Sequence, residues 1–337
     1  MVTRVRHSPI IASTTPAGTA CHDARMPASG PRHATSIAAV TAAAVLFATT
    51  GTARSLGPDG ADAWAVGTWR ILVGALALWA VAGSSPKPGR VNPASRRVLL
   101  LGSIGVAAYQ PGFFIATDRC GVALGTLIAL GSGPVFTVAG EAITRGSRPG
   151  RRWWFGTFAM IAGVALLGAG DDSAGVTLDG WGALAGLGAG AGYALYAVAT
   201  RRAIDAGVGS TRALAWQFTL GAVILSPGLL IASSDGLSDV DGILMITHLG
   251  VLTVGLAYFL YGVGLRHLAP ATAVSITVIE PVAATAIAAI VLDERPSTLG
   301  WIGALVVIAG FSLLTRRDGP SRRAPRAPRT PTPTPSA

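Results

Sequence analysis

The placement of charge along the chain limits its fold more than any other feature of the sequence. Only 12% of the 337 residues are charged, about half of the share typical of a soluble domain, whose surface must face water. The charges are clustered and leave apolar stretches of about 20 residues, the length of a helix that crosses about 30 Å of hydrocarbon. Ten such stretches predict an all-α membrane protein, with spans 1 to 10 at residues 34–53, 63–83, 98–117, 121–143, 153–170, 181–200, 213–233, 243–264, 269–292 and 298–315.

This arrangement excludes several classes of protein. The connections between the predicted spans are short, so no soluble catalytic domain is left outside the membrane. A net charge of +10 does not indicate a nucleic-acid partner, because the basic residues lie in loops and tails and form no stripe with interleaved aromatic residues. The two cysteines, Cys21 and Cys120, cannot build a disulfide framework or a metal cluster, and we expect no cofactor and no metal.

The two ends of the chain differ in composition from the spans between them. Residues 1–33 are polar and lack the apolar core of about 7 to 15 residues that a cleavable signal peptide needs. Residues 316–337 are basic and rich in proline, a composition typical of unstructured tails. We predict that both segments are disordered and cytoplasmic.

Lysine and arginine are distributed unequally between alternate loops. With the N-terminus inside, 22 of the 26 basic residues fall on the cytoplasmic side, 3 fall in outer loops, and the last, Arg70, lies within span 2. This asymmetry is the one that orients membrane helices. We therefore predict a multi-pass protein of the plasma membrane with both termini in the cytoplasm.

The sequence repeats itself at a separation of 147 residues. Pro134-Val135 matches Pro281-Val282, and residues 148–167 match residues 295–314 at nine of twenty positions, including Trp154 with Trp301. The same separation relates Trp69 to Trp216. Each half contains five spans, an odd number, so the second half begins on the other side of the membrane and the two repeats are inverted.

Inverted repeats are typical of secondary transporters, in which substrate lies near the midplane between two halves that move against each other. Duplication can also simply produce a stable bundle, and this alternative remains at this point. Short motifs strengthen the transporter interpretation. They are Trp69-Arg70-Ile71-Leu72-Val73-Gly74-Ala75 in span 2, Gly255 to Tyr261 in span 8, Ile279-Glu280-Pro281-Val282 and Leu292-Asp293-Glu294-Arg295 at span 9, and Gly303 to Gly310 in span 10.

On these residues the chain resembles the EamA-type drug/metabolite transporter (DMT) superfamily, whose ten-helix members consist of two EamA repeats. The resemblance covers residues 34 to 315 and implies a first repeat at 34–170 (spans 1–5) and a second at 181–315 (spans 6–10). It also implies transport of a small molecule across a lipid bilayer.

A buried arginine and its repeat counterpart are candidate substrate-binding residues. Arg70 lies about 10 Å inside span 2 at 1.5 Å per residue, a depth at which a charge normally faces the bundle interior or a wet cavity. It is a candidate clamp for an anion or carboxylate, or alternatively a side chain that extends towards the interface. The offset places Gln217 opposite Arg70, and Trp69 and Trp216 are matched cavity candidates.

Two residues are candidates for proton coupling. Glu280 lies near the middle of span 9, next to Pro281, which removes a backbone donor and is expected to kink the helix. A carboxylate there would suit proton coupling, or it would be a structural group bound to an adjacent helix. His248 in span 8 is the second candidate, because histidine is the side chain that ordinarily changes charge at physiological pH, although an interfacial position is the simpler interpretation. Pro134 is expected to produce the matching kink in span 4.

Four tyrosines complete the candidate binding site. Tyr193 and Tyr196 lie three residues apart in span 6, and Tyr258 and Tyr261 have the same spacing in span 8. Residues three apart share one face of a helix. Each pair therefore either lines a cavity with its hydroxyl groups or packs within the bundle.

Together these features predict a secondary transporter that exports a small polar metabolite, an amino acid or a related compound, by alternating access with possible proton coupling. The alternative is a multidrug or toxic-compound efflux transporter. A membrane-embedded enzyme is a weaker hypothesis, because the spans hold no set of paired catalytic residues. The expected partners are a small-molecule substrate and the lipid bilayer, with protons if transport is proton-coupled. We expect no nucleic-acid partner, and the sequence leaves open whether the protein is a monomer.

Overall fold

Ten membrane-crossing helices account for most of the chain in a computed structural model that describes residues 31–58, 60–83, 91–146, 148–169, 179–293 and 295–315. Each is long and apolar enough to cross a bilayer. Residues 1–30 of the predicted N-terminal segment 1–33, and the predicted tail 316–337, lie outside the described residues. Residues 31–33 belong to the first helix. The helices are span 1 (Pro31–Ser55), span 2 (Ala63–Gly83), span 3 (Pro93–Cys120), span 4 (Val122–Arg145), span 5 (Arg151–Ala169), span 6 (Gly180–Asp205), span 7 (Ser210–Leu230), span 8 (Val240–Leu265), span 9 (Pro270–Val291) and span 10 (Thr298–Thr315).

Several helices extend beyond the predicted apolar stretches because polar residues cap them. Span 3 begins at Pro93, five residues before the predicted start, since the side chain of Asn92 accepts a hydrogen bond from the backbone N–H of Ser95 at 2.7 Å. Asp179 caps span 6 in the same way through the N–H of Gly182. Such caps satisfy N–H groups that the first helical turn leaves without partners.

Spans 8 and 9 are interrupted near their middles. Span 8 contains a π-helical stretch, His248–Leu256, between two α-helical parts. Span 9 consists of two α-helices, Pro270–Thr277 and Glu280–Val291. Interrupted helices of this kind are a recurrent feature of transporter binding sites.

The two repeats meet along a seam of glycines between spans 5 and 10. A Cβ atom added to Gly163 would lie 2.7 Å from the carbonyl oxygen of Gly303, and one added to Gly156 would lie 3.0 Å from that of Gly310. The repeat offset relates Gly156 to Gly303 and Gly163 to Gly310, so each contact is the counterpart of the other. This reciprocal pairing is the geometry of an approximate two-fold axis between inverted repeats, with small residues allowing close approach.

The bundle has two ends, called the terminal face and the opposite face. The terminal face is the one at which span 1 begins, near Pro31, and span 10 ends, near Thr315. The opposite face is the one at which span 1 ends, near Ser55, and span 2 begins, near Ala63. The largest buried apolar cluster lies between these faces and includes residues of both repeats, such as Leu78 and Ile276.

Candidate functional site

A cavity of about 440 Å³ lies between the two repeats, within the range of roughly 300 to 1,000 Å³ found for small-molecule sites. Spans 1 to 5 of the first repeat and spans 6, 8 and 9 of the second contribute to its wall. At the opposite face the lining includes Arg54, Thr117 and Gly168, and at mid-depth it includes Tyr193 and Glu280. The cavity therefore runs from the opposite face to the middle of the bundle.

Three of the four predicted tyrosines lie together at the inner end of this cavity. Tyr193 and Tyr196 have stacked rings 5.1 Å apart, and the Tyr196 hydroxyl shares a 3.2 Å hydrogen bond with that of Tyr258. Tyr261 is fully buried, with its ring 6.5 Å from those of Tyr193 and Tyr196, and does not contribute to the cavity wall. The tyrosine pairs thus form one aromatic layer across spans 6 and 8.

Arg70 supplies positive charge to the wall of the cavity. Its Nε atom is buried and has no hydrogen-bond partner. Arg54 also lines the cavity, but its guanidinium donates to the carbonyl oxygens of Pro58 and Ala61, each at 2.7 Å. Arg70 is therefore the better placed of the two to bind an anionic ligand group.

Glu280 places a carboxyl group on the cavity wall, at the break in span 9. The N–H groups of Val278 and Ile279 bond to carbonyls three residues earlier, both at 3.2 Å, and Glu280 begins the second helix with Pro281 in its first turn. Pro281 has no N–H to continue the α-helical pattern. Thr277, just before the break, shares a 2.6 Å hydrogen bond with the hydroxyl of Tyr193.

Three other predicted site residues lie away from the cavity wall. Trp69 is 37% exposed on the outside of span 2. Trp216 packs edge to face against Trp79, with ring centroids 5.3 Å apart. Gln217 is fully buried, and its side-chain oxygen accepts a hydrogen bond from Thr200.

The remaining candidates lie near the cavity or within a helix. His248 shares a 2.9 Å hydrogen bond with Thr49 through Nε2 and does not line the cavity, although its neighbour Leu249 does. Pro134 lies inside the continuous α-helix of span 4. Pro281 lies at a helix break, whereas the α-helix of span 4 continues through Pro134.

The predicted site residues did not include a segment of span 3 that contributes to the cavity wall, Tyr109-Gln110-Pro111-Gly112-Phe113-Phe114. Tyr109, Gln110, Phe113 and Phe114 all line the cavity. A signal was present, since Pro111 lies within an apolar span beside an uncharged polar residue, and a proline inside a helix removes a backbone hydrogen bond. The helix of span 3 nevertheless continues through Pro111.

A second, smaller cavity of about 220 Å³ lies beside the first, between spans 2, 3 and 7. Ala63, Gln110 and Phe114 line both cavities and therefore form the wall between them. The carboxyl-bearing residues Asp62 and Asp118 also line this side cavity.

The described residues include no group of three or more metal-ligating side chains, and among them no ion pair joins Arg70 or Glu280 to a counter-ion. The larger cavity thus presents opposite charges and aromatic rings. Chemically this wall can bind a small molecule that carries both charges and an apolar part.

Comparisons with known proteins agree with the fold. The model of the EamA-like transporter family matches residues 34–169 and again residues 180–316. A solved structure titled "Crystal structure of protein" superimposes with a TM-score of 0.71 at 19% identity, covering 83% of this chain and 96% of that one. At this identity the likeness shows the fold alone.

Two curated proteins are similar over most of their length. The uncharacterized transporter YwfM of Bacillus subtilis is 30% identical over 276 residues, which are 82% of this chain and 92% of that protein. A probable terminal-alkyne amino-acid exporter of Streptantibioticus cattleyicolor is 28% identical over 292 residues, which are 84% of this chain and 94% of that protein. With two matched five-helix repeats and such relatives, the chain belongs to the EamA-like transporter family.

Proposed function

We propose that the protein is a secondary transporter that exports a small zwitterionic metabolite, an amino acid or a related compound, by alternating access. The observation that carries this proposal is the pair of opposite charges, Arg70 and Glu280, facing one cavity between the repeats without an ion-pair partner. A charge within a membrane span is costly unless it serves a pathway or a partner. A zwitterion would give each charge its counter-ion.

The aromatic residues of the wall support an amino acid with an apolar side chain. Tyr109, Phe113 and Phe114 come from span 3, and Phe47 comes from span 1. Mostly apolar walls with a few fixed polar groups are typical of small-molecule sites. The name of the Streptantibioticus relative, an amino-acid exporter, supports the same substrate class.

Glu280 also gives the transporter a means of coupling to protons. One carboxylate cannot carry a proton and pair with an ammonium group at the same time. Protonation of Glu280 would therefore release the substrate, and substrate binding would require loss of the proton. An inward proton gradient would then drive export.

Multidrug efflux is the second candidate function, and the aromatic wall favours it. A lipophilic cation would pack against the rings and pair with Glu280, by ion pairing and cation–π contact. Arg70, however, would repel such a compound. The two candidates therefore differ in the effect expected when Arg70 is neutralised.

The experiment is transport in liposomes that contain the purified protein. A panel of amino acids, sugars and cationic dyes is tested with and without a pH gradient in wild type, Arg70→Gln and Glu280→Gln. We expect amino-acid transport that Arg70→Gln abolishes and that the pH gradient no longer drives in Glu280→Gln. The matched control for Arg70→Gln is Arg212→Gln, since Arg212 lies over Trp79 and away from the cavity.

Each outcome separates the candidates. Dye transport that increases in Arg70→Gln would favour multidrug efflux over amino-acid export. Unchanged proton-driven flux in Glu280→Gln would remove Glu280 as the coupling group. Absence of transport for every amino acid in the panel would overturn the proposed substrate class.

A further inference from the structure

Gln110 occupies the point in span 3 at which three spaces inside the protein meet. It lines the large cavity, the side cavity and a small void of about 10 Å³. Its side chain is only 6% exposed. An amide in such a position normally has hydrogen-bond partners, because burial removes those that water would provide.

Two residues that line the small void each carry a buried donor that lacks an acceptor. Neither Nε2 of Gln110 nor Nε of Arg70 has a hydrogen-bond partner in the described structure. Both residues line the void and the large cavity. Donors left unpaired in a buried site are a recognised sign of a missing water, ion or ligand group.

The neighbouring hydroxyl groups do not accept a hydrogen bond from either of these donors. Tyr196 and Tyr258 also line the void, and their hydroxyls are bonded to each other at 3.2 Å. The other lining residues include Ile71, Val106 and Phe218, whose side chains are apolar. Tyr109 also lines the void, and its hydroxyl accepts no hydrogen bond from either donor. A bound ligand can therefore supply the acceptor that both donors lack.

The size of the void fits one oxygen atom. A space of about 10 to 15 Å³ holds a single water-sized group. A carboxylate has two oxygens and accepts hydrogen bonds from a guanidinium with particular strength. With one oxygen in the void and the rest of the molecule in the large cavity, it would satisfy both donors.

We propose that Gln110 and Arg70 together form a carboxylate subsite, so that Gln110 makes the transporter select free acids over the corresponding amides. The inference rests on the proposed function and deepens it, since it assigns one end of the substrate to named atoms. The repeat symmetry points instead to Gln217, which is buried elsewhere and bonded to Thr200.

The test compares binding of leucine and leucinamide to the purified full-length protein by titration calorimetry. Gln110→Leu removes the donor, and Gln110→Glu keeps the shape but replaces the donor with a carboxylate. We expect Gln110→Leu to weaken leucine binding about tenfold to a hundredfold, the range for a hydrogen bond to a charged group, with little change for leucinamide. Gln110→Glu should weaken leucine binding further by charge repulsion.

Gln217→Leu is the matched control, because Gln217 is a buried glutamine that also has an unpartnered Nε2 but does not line any of the three spaces. It should leave the ratio of the two affinities unchanged. If folded Gln110→Leu and Gln110→Glu keep the wild-type ratio, Gln110 donates to water only and the inference is overturned. If wild type does not bind leucine, the proposed function fails before Gln110 is considered.

Discussion

The carboxylate of Glu141 accepts a 3.1 Å hydrogen bond from the backbone N–H of Ala271, which joins span 4 of the first repeat to the start of span 9 of the second. Glu141 is only 5% exposed. Its charge lies at a helix N-terminus, where the aligned peptide dipoles favour an anion. This bond therefore holds the two repeats together near the terminal face.

Further contacts of charged residues also hold the helices together at the terminal face. Arg145 at the end of span 4 pairs with Asp205 at the end of span 6. Arg201 donates to Asp205 at 3.0 Å and to the carbonyl oxygens of Leu265 and Leu268 at 2.9 and 3.0 Å. The terminal face is thus sealed by polar contacts, whereas the cavity reaches the opposite face.

We predict that Glu141→Gln makes the terminal face open more often. The amide can still accept the hydrogen bond from Ala271, but the attraction between anion and helix dipole, worth about 0.3 to 2 kcal/mol, is lost. A cysteine at Val274, which is fully buried beside Gly133 of span 4, reports the opening. In protein without Cys21 and Cys120, its maleimide labelling should become a few times faster.

Arg266→Gln is the control for this prediction. Arg266 is an exposed charge at the same face, just after span 8. Its replacement should leave the labelling rate of the Val274 cysteine unchanged. Equal rates for Glu141→Gln and its parent would show that the Glu141 contact does not hold the face closed.

The glycine seam gives a prediction about stability. In Gly163→Ala the new methyl group would lie 2.7 Å from both the Gly303 oxygen and the Val307 nitrogen, so spans 5 and 10 must separate. Overpacking of this kind costs about 1 to 3 kcal/mol. We expect a lower thermal unfolding temperature in detergent.

The same substitution in open space provides the control. Gly188 in span 6 has no neighbouring atom within 4 Å of a built Cβ. Gly188→Ala should therefore be neutral, or stabilising by up to about 1 kcal/mol through helix propensity. An equal loss of stability in both variants would mean that the effect of Gly163→Ala does not arise at the seam.

The number of spans and the repeat were predictable because both depend on spacing along the chain. The requirement for about 20 apolar residues per crossing gave ten spans, and the structure confirms all ten. The interruption of span 8 was not predicted. Its π-helical stretch, His248–Leu256, contains no proline and packs against span 2, where Gly74 lies close to Val254.

The site was harder to predict, since in a membrane both faces of a helix are apolar. Arg70 and Trp69 are neighbours in sequence, yet Arg70 faces the cavity and Trp69 is exposed on the outside. When a helix is surrounded by lipid instead of water, the hydrophobic periodicity of its sequence hardly distinguishes the side that faces the cavity from the side that faces lipid. Repeat symmetry brings equivalent residues together only near the approximate two-fold axis, as in spans 5 and 10. Trp69 and Trp216 are not part of that seam, since Trp69 is exposed on the outside of span 2 and Trp216 packs against Trp79.

The orientation of the bundle is a separate prediction. The distribution of lysine and arginine predicts that the terminal face lies in the cytoplasm. Green fluorescent protein fused after Ala337 should therefore fluoresce in a bacterial host, and alkaline phosphatase inserted after Asp172 should be active. The controls exchange the two reporters, with alkaline phosphatase after Ala337 and green fluorescent protein after Asp172, and both should be inactive. If only the exchanged fusions were active, the predicted orientation would be wrong.

Phe114 gives the last prediction, because it forms part of the wall between the large cavity and the side cavity. In Phe114→Ala the two spaces of about 440 and 220 Å³ should merge, leaving room for larger apolar side chains. Burial of about 50 Å² more apolar surface at about 25 cal/mol per Å² corresponds to nearly a tenfold gain in affinity. The measurement is the ratio of the Kd values for alanine and tryptophan in purified protein.

Phe113→Ala is the matched control, since Phe113 lines the large cavity but not the side cavity. It removes the same number of atoms without joining the two spaces. We expect the ratio of the alanine Kd to the tryptophan Kd to increase in Phe114→Ala and to change much less in Phe113→Ala. If both variants shift the ratio equally, the gain reflects a wider main cavity, and Phe114 does not limit substrate size by closing the side cavity.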